Sequence, residues 1–239
     1  MKFTAEKSQI VDSLQNAAAV AERRQTIPIL ANLRLKASLG KLEVTATDLE
    51  IQIKNYSDLL SIEEEGETTV SARKMSELCR SLPDAENVDF LLKDGKLTVS
   101  SKNFHGDFAT ISADDFPELE VNEEKESTEV QSAVLKRILT KTAFSMASQD
   151  VRYYLNGLLL ELAEGEIKGV ATDGHRLAVS SSKVDAKGLE TRNILPRKAV
   201  LELAKLLPSE NMPIELLVGP THIGVKTESL NFSSKLIDG

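Results

Sequence analysis

The chain repeats itself at an offset of 124 to 125 residues, and this repeat constrains the fold more than any other feature of the sequence. Thr47-Asp48 closes the strand-like run Leu42-Glu43-Val44-Thr45-Ala46, and Thr172-Asp173 closes Ile167-Lys168-Gly169-Val170-Ala171. Leu30, Leu33 and Leu35 return as Leu155, Leu158 and Leu160, and Leu82-Pro83 returns as Leu207-Pro208, each 125 residues on. Arg73-Lys74 recurs as Arg197-Lys198, and Phe108 and Asp114 recur as Phe232 and Asp238, each 124 residues on. Two domains of one fold are expected, over residues 1–125 and 126–239. At 239 residues and 41% hydrophobic, the chain has enough apolar material for a core in each.

Both repeats follow one plan. A first helix carries Ile10, Leu14, Ala17 and Ala18 on one face, and its counterpart carries Leu135, Leu139, Thr142 and Ala143. Short alternating runs follow, such as Asn32-Leu33-Arg34-Leu35-Lys36-Ala37, then Gly40-Lys41 as a turn. A second helix places Met75, Leu78, Cys79 and Leu82 on one stripe, matched by Val200, Leu203, Ala204 and Leu207. Further strands come after it, joined in the first repeat by Asp94-Gly95. The fold class expected is α+β, with two helices per domain packed on antiparallel β-sheets.

The formal charge is −8, from 29 Lys+Arg against 37 Asp+Glu, which taken whole argues against binding nucleic acid. The charge is not spread evenly. Residues 58–67 carry −5 and residues 114–129 carry −7, so the rest of the chain is +4. The second acidic stretch, with Pro117, reads as a domain boundary. Basic residues gather on helices instead: Arg73, Lys74 and Arg80 on one, Lys136, Arg137 and Lys141 on another, Arg197, Lys198 and Lys205 on a third. A basic face shared by three helices fits sequence-independent contact with phosphates.

Few residues suggest catalysis. Asp173 and His175 are spaced for an acid–base pair, but no nucleophile elbow or P-loop accompanies them, and Asp48 in the first repeat has no histidine after it. An aspartate after a strand and before glycine reads more simply as a turn former. The three histidines lack metal-ligand spacing, so no metal site is expected. Cys79, the only cysteine, falls on an apolar helix stripe and reads as core, which fits a reducing cytoplasm. No apolar run is long enough to span a membrane. The segment Ser148-Gln149-Asp150-Val151-Arg152-Tyr153-Tyr154 joins a helix to a strand and sets two tyrosines beside an arginine, a combination suited to sugar, phosphate or base contact.

Taken together, the run from Gln149 through Asn156-Gly157, the run Ala171-Thr172-Asp173-Gly174-His175-Arg176-Leu177-Ala178 and Pro196-Arg197-Lys198 resemble the bacterial DNA polymerase III beta subunit family, the sliding clamps. Met1-Lys2-Phe3-Thr4, Thr26-Ile27-Pro28-Ile29-Leu30, Thr47-Asp48-Leu49-Glu50 and Ala113-Asp114-Asp115-Phe116-Pro117 fit the same family. The resemblance implies a non-catalytic processivity factor without cofactor or metal: a ring of repeated clamp domains around duplex DNA, a homodimer when full length, in the cytoplasm. It implies DNA contacts at Arg24, Arg73, Gln149, Tyr153, Tyr154 and Lys198. It implies a cleft for short peptides of polymerase and clamp-loader subunits at Leu155, Thr172, Gly174, His175, Arg176 and Leu177. Family members have three such domains, so the third is expected to be absent here and the second to stop short of its end. Two other readings stand beside this one: a hydrolase using Asp173 and His175, and a protein-interaction module that never meets DNA.

Overall fold

The computed structural model of the protein describes residues 1–21, 27–83, 86–119, 126–185 and 189–238. The chain divides into two compact units: Met1–Leu119 with Glu228–Leu230, and Glu120–Thr227 with Asn231–Gly239. In unit 1 the order is β1 (Lys2–Glu6), α1 (Lys7–Val20), β2 (Asn32–Ser38), β3 (Lys41–Thr47), β4 (Ile51–Asp58), β5 (Ser61–Glu64), β6 (Gly66–Ser71), α2 (Ala72–Ser81), β7 (Asn87–Lys93), β8 (Lys96–Ser101) and β9 (Phe104–Ile111). In unit 2 it is β10 (Glu126–Gln131), α3 (Ser132–Thr142), β11 (Gly157–Ala163), β12 (Glu166–Thr172), β13 (Leu177–Lys183), β14 (Thr191–Pro196), α4 (Arg197–Leu206), β15 (Pro213–Val218), β16 (His222–Lys226) and β17 (Leu230–Lys235). This is an α+β architecture, and every strand pair described within either unit is antiparallel.

The units share a strand order. β4-β3-β2-β6 in unit 1 corresponds to β13-β12-β11-β14 in unit 2, and β1-β7-β8-β9 corresponds to β10-β15-β16-β17. In unit 1 a short pairing of β6 with β9, Thr69 opposite Ile111 and Val70 opposite Thr110, joins the two layers. In unit 2 a single bridge between Ile194 and Ile237 takes that place. Alternation of side chains follows the pleat: Leu33, Leu35 and Ala37 of β2 are buried, as are Leu158, Leu160 and Leu162 of β11.

The helices bury most of the stripes that their spacing sets out, with Ala18 and Ala204 only half-buried. Ile10, Leu14 and Ala17 of α1 and Met75, Leu78 and Cys79 of α2 are buried in unit 1. Leu135, Leu139 and Thr142 of α3 and Val200 and Leu203 of α4 are buried in unit 2. Burial pushes the Cys79 thiol up to about 11, so it is protonated core and not a nucleophile. Each helix pair is also tied at one end by a lysine. Lys7 Nζ donates to the carbonyl of Leu82 (2.5 Å) and Lys136 Nζ to that of Leu207 (2.7 Å), so each ammonium meets a backbone oxygen just past the second helix, at its negative dipole end.

Local differences from the sequence reading are small and have physical causes. The first hairpin turn is centred on Leu39-Gly40, both with positive φ (52° and 76°), and Lys41 already belongs to β3. A two-residue turn of that type needs left-handed backbone at both centres, which places it one residue earlier than the Gly40-Lys41 expectation. α3 ends at Thr142, with Ala143 in a following 3-10 turn rather than on the helix stripe. The matched basic pairs do not superpose residue for residue. α2 and α4 stand 125 residues apart, so Arg73 corresponds to Lys198 and Ala72 to Arg197.

Candidate nucleic-acid interface and peptide cleft

Arg73 and Lys198 each take the second position of their helix, α2 and α4. A cation in the first turn of a helix opposes the positive dipole end, a placement that favours an anion close by. Arg73 is exposed and its Nε donates to Glu77 Oε1 at 2.8 Å, one turn on. Lys198 is half-buried. Arg24, the other arginine expected to touch DNA, lies outside the described residues. α3 carries no acidic residue, and Lys136, Arg137, Thr140 and Lys141 line a shallow groove of about 270 Å³ with Ala133 and Ser209. Among the described residues, Arg137 and Lys141 form no ion pair; their i, i+4 spacing signals one basic face in the sequence.

The tyrosine loop is built around Asp150. Asn156 closes it: its Oδ1 accepts from the Asp150 amide (2.9 Å) and its Nδ2 donates to the Asp150 carbonyl (2.8 Å). The Asp150 carboxylate accepts from the Arg152 amide (2.8 Å), Nε (3.0 Å) and Nη2 (2.9 Å). Those bonds hold Asp150 down to about 2, so it stays ionised at any ordinary pH. Gln149 sits in left-handed backbone (φ 60°) and is exposed. Tyr153 and Tyr154 pack edge to face, centroids 6.0 Å apart, and remain 59% and 44% exposed. Two aromatic faces left open to solvent at the end of a tightly bonded loop form a stacking and hydrogen-bonding platform.

The turn after β12 lies beside this loop. Thr172 Oγ1 donates to the Arg176 carbonyl (2.7 Å) and accepts from the Gly174 amide (3.1 Å). Asp173 Oδ1 accepts from the amides of His175 and Arg176, both at 3.0 Å, and Oδ2 accepts from Arg176 Nε at 2.9 Å. Those amide bonds first, then the Arg176 guanidinium, hold Asp173 below the usual carboxylate range. The carboxylate is committed to the turn, as expected of a turn former, and gives the hydrolase reading no free base. Gly174 has φ 86°, and a Cβ there would come within 3.2 Å of Arg152 Nη2, so the Arg152 guanidinium lies directly against this glycine. Arg176 reaches the other way, its guanidinium 5.5 Å from the centre of the exposed Phe144 ring. Sequence reasoning did not single out Phe144; an aromatic directly after the helix stripe was its only signal.

The expected cleft residues fall into two adjoining groups. Leu155 and Thr172 line a cavity of about 630 Å³, with Leu159, Val170, Ile194 and Ile237 as its main apolar wall. Gly174, His175, Arg176 and Leu177 form the turn next to it, and Leu177 is 64% exposed. A cavity with an apolar wall, edged by an exposed leucine, suits an extended segment bearing an apolar side chain. Among the described residues no cluster of His, Cys, Asp and Glu could hold a metal ion, and no helix is long and apolar enough to cross a membrane.

Comparison with known proteins agrees across three measures. The family described as DNA polymerase III beta subunit, N-terminal domain, matches residues 1–120, and the family described as its central domain matches residues 129–239. The beta sliding clamp of Vibrio cholerae is 40% identical over 239 residues, covering all of this chain and 65% of that protein. The beta sliding clamp of Escherichia coli K12 is 38% identical over the same share. The crystal structure of the DNA polymerase III subunit beta from Pseudomonas aeruginosa superposes with a TM-score of 0.95 at 38% identity, covering all of this chain and 65% of that one. A sliding clamp of the same organism, solved bound to griselimycin, gives 0.96 at 39% identity, with the same coverage.

Proposed function

The chain belongs to the DNA polymerase III beta subunit family, and from that premise we propose that it acts as a DNA sliding clamp: it encircles duplex DNA without reading sequence, docks partner peptides, and so keeps a replicative polymerase on its template. It spans 65% of the length of the curated relatives it matches, so the ring, its homodimeric closure and the polymerase and clamp-loader partners belong to this proposal. So do the cytoplasmic setting and the division into an N-terminal clamp domain over 1–125 and a central one over 126–239. The role is non-catalytic: the fold presents surfaces and an open cleft, and Asp173 serves its turn.

The observation that carries the reading is the family match over residues 1–120 and 129–239, and in unit 2 Leu155 and Thr172 line a cavity beside the exposed Leu177. Arg73, Lys198, Gln149, Tyr153 and Tyr154 supply phosphate and sugar contacts, with Arg24 as a sixth position outside the described residues. A duplex-binding titration tests the DNA half. Affinity of this chain for duplex is expected to be weak and to fall steeply with salt, because neutralised phosphates release counterions. Reversing Lys198 and Arg73 to Glu flattens that salt slope by about one unit per lost phosphate contact. A slope unchanged by both reversals would favour the interaction module without DNA contact, a reading that the Arg73–Glu77 pair already lends some weight.

A further inference from the structure

The turn that borders the unit 2 cleft has a counterpart in unit 1, and residues 116–119 lie over it. The turn at residues 47–51 repeats the bonding of residues 172–176. Thr47 Oγ1 donates to the Ile51 carbonyl (2.9 Å) and accepts from the Leu49 amide (3.0 Å), and Asp48 Oδ1 accepts from the amides of Glu50 (2.9 Å) and Ile51 (2.7 Å). At the 125-residue offset Leu30 corresponds to Leu155, Leu49 to Gly174 and Gln52 to Leu177, three residues expected in the cleft. Residues 116–119 lie across these same positions. Phe116, 6% exposed, packs with Ile29 and Leu30, and Leu49 packs against that cluster. The Leu119 amide donates to Gln52 Oε1 at 2.9 Å. The Glu118 carboxylate receives Arg34 Nη1 at 2.5 Å and Lys54 Nζ at 2.9 Å.

We propose that unit 1 holds a masked docking site for an extended peptide with an apolar side chain, the feature the unit 2 cleft suits, and a neighbouring carboxylate, and that the chain's own residues 116–119 occupy it. The ligand class rests on the reading of the unit 2 cleft as a peptide site. The mask itself rests on unit 1 alone. An apolar ring in the pocket, a backbone amide on the Gln52 side chain and a carboxylate on two cations are contacts a docked peptide makes, supplied here in cis. A tethered occupant excludes a free one through its effective concentration, of millimolar order for a short connection. Once residues 116–119 are displaced, Leu30, Leu49, Gln52, Arg34 and Lys54 present a vacant site.

The test is a methyl-labelled NMR titration of the full chain with a synthetic peptide of residues 113–119, Ala-Asp-Asp-Phe-Pro-Glu-Leu. In the unaltered chain the methyls of Ile29, Leu30 and Leu49 are expected to stay still. In Phe116→Ala they shift on titration, with apparent affinity raised about tenfold or more as the tethered competitor is removed. No response in a natively folded Phe116→Ala chain, or an equal response in both chains, overturns the proposal. If Phe116→Ala does not fold, Glu118→Gln keeps the ring and removes the charge; a response above that of the unaltered chain supports the mask, and an identical one overturns it. Leu155 and Leu177, read in the same spectra, report unit 2. Silence there with a response in unit 1 counts against the unit 2 cleft alone, and the reverse pattern counts against the masked site alone.

Discussion

The turns at residues 47–51 and 172–176 are made by the same hydrogen bonds and end in opposite environments. In both, a threonine hydroxyl and an aspartate carboxylate organise the backbone after a strand. In unit 1 the residue after Glu50 is Ile51, which is fully buried, and Gln52 is 5% exposed beneath Leu119. In unit 2 the corresponding Arg176 points out over Phe144, and Leu177 stands in solvent. Local sequence fixes the shape of such a turn; what lies over it depends on a segment distant in the chain.

The largest expected effect separates the two copies by stability. Phe116→Ala empties a packed aromatic position and is expected to cost unit 1 about 3–5 kcal/mol, read by urea unfolding. Leu177→Ala, at an exposed position, should stay within about 0.5 kcal/mol. Equal costs would mean that Phe116 is not a packed position.

Acid should separate them next. Burial pushes Glu118 up, yet the hydrogen bonds from Lys54 and Arg34 outweigh it and leave the carboxyl below its ordinary value. Its contribution is therefore present above the usual carboxylate range and is lost as pH falls through the lowered value. Amide exchange at Leu119 is expected to quicken below about pH 4, relative to unit 1 strand amides of similar burial. Unchanged relative protection down to pH 3 would show that the carboxylate does not hold residues 116–119 in place.

The smallest effect concerns the left-handed position of each turn. Unit 1 tolerates Leu49 there, at φ 74°, because its side chain packs beside Phe116. Gly174→Ala adds a Cβ at φ 86° with no such packing and directly against Arg152, and should cost about 1 kcal/mol. A neutral result, with the Arg152 side-chain NMR signals unmoved, would show that the guanidinium does not sit on the glycine.

Much of this was legible in the sequence, for identifiable reasons. The repeat, the helix stripes and the Asp173 turn follow from spacing and from what an aspartate does after a strand, and these are local properties. Asp94-Gly95 forms its hairpin because both residues adopt positive φ, 51° and 72°. The role of Phe116 was not legible. Phe116-Pro117-Glu118 reads as part of an acidic boundary stretch, and only the fold brings Glu118 to Arg34 and Lys54, more than sixty residues away. The Lys7 and Lys136 ties escape for the same reason, since each partner carbonyl lies more than seventy residues on. The contact of Arg176 with Phe144 escapes likewise, since the two are brought together only by the fold.

The central claim is that the unit 2 cleft is a peptide-docking site. Its most direct measure is the affinity of a replicative polymerase tail peptide for this chain and for Leu177→Asp, a substitution at an exposed residue that leaves the fold intact. The account predicts binding to the unaltered chain and a loss of about tenfold or more in the variant, with shifts at Leu155 and Leu177. Equal affinity for both chains, with those two residues silent, would contradict it.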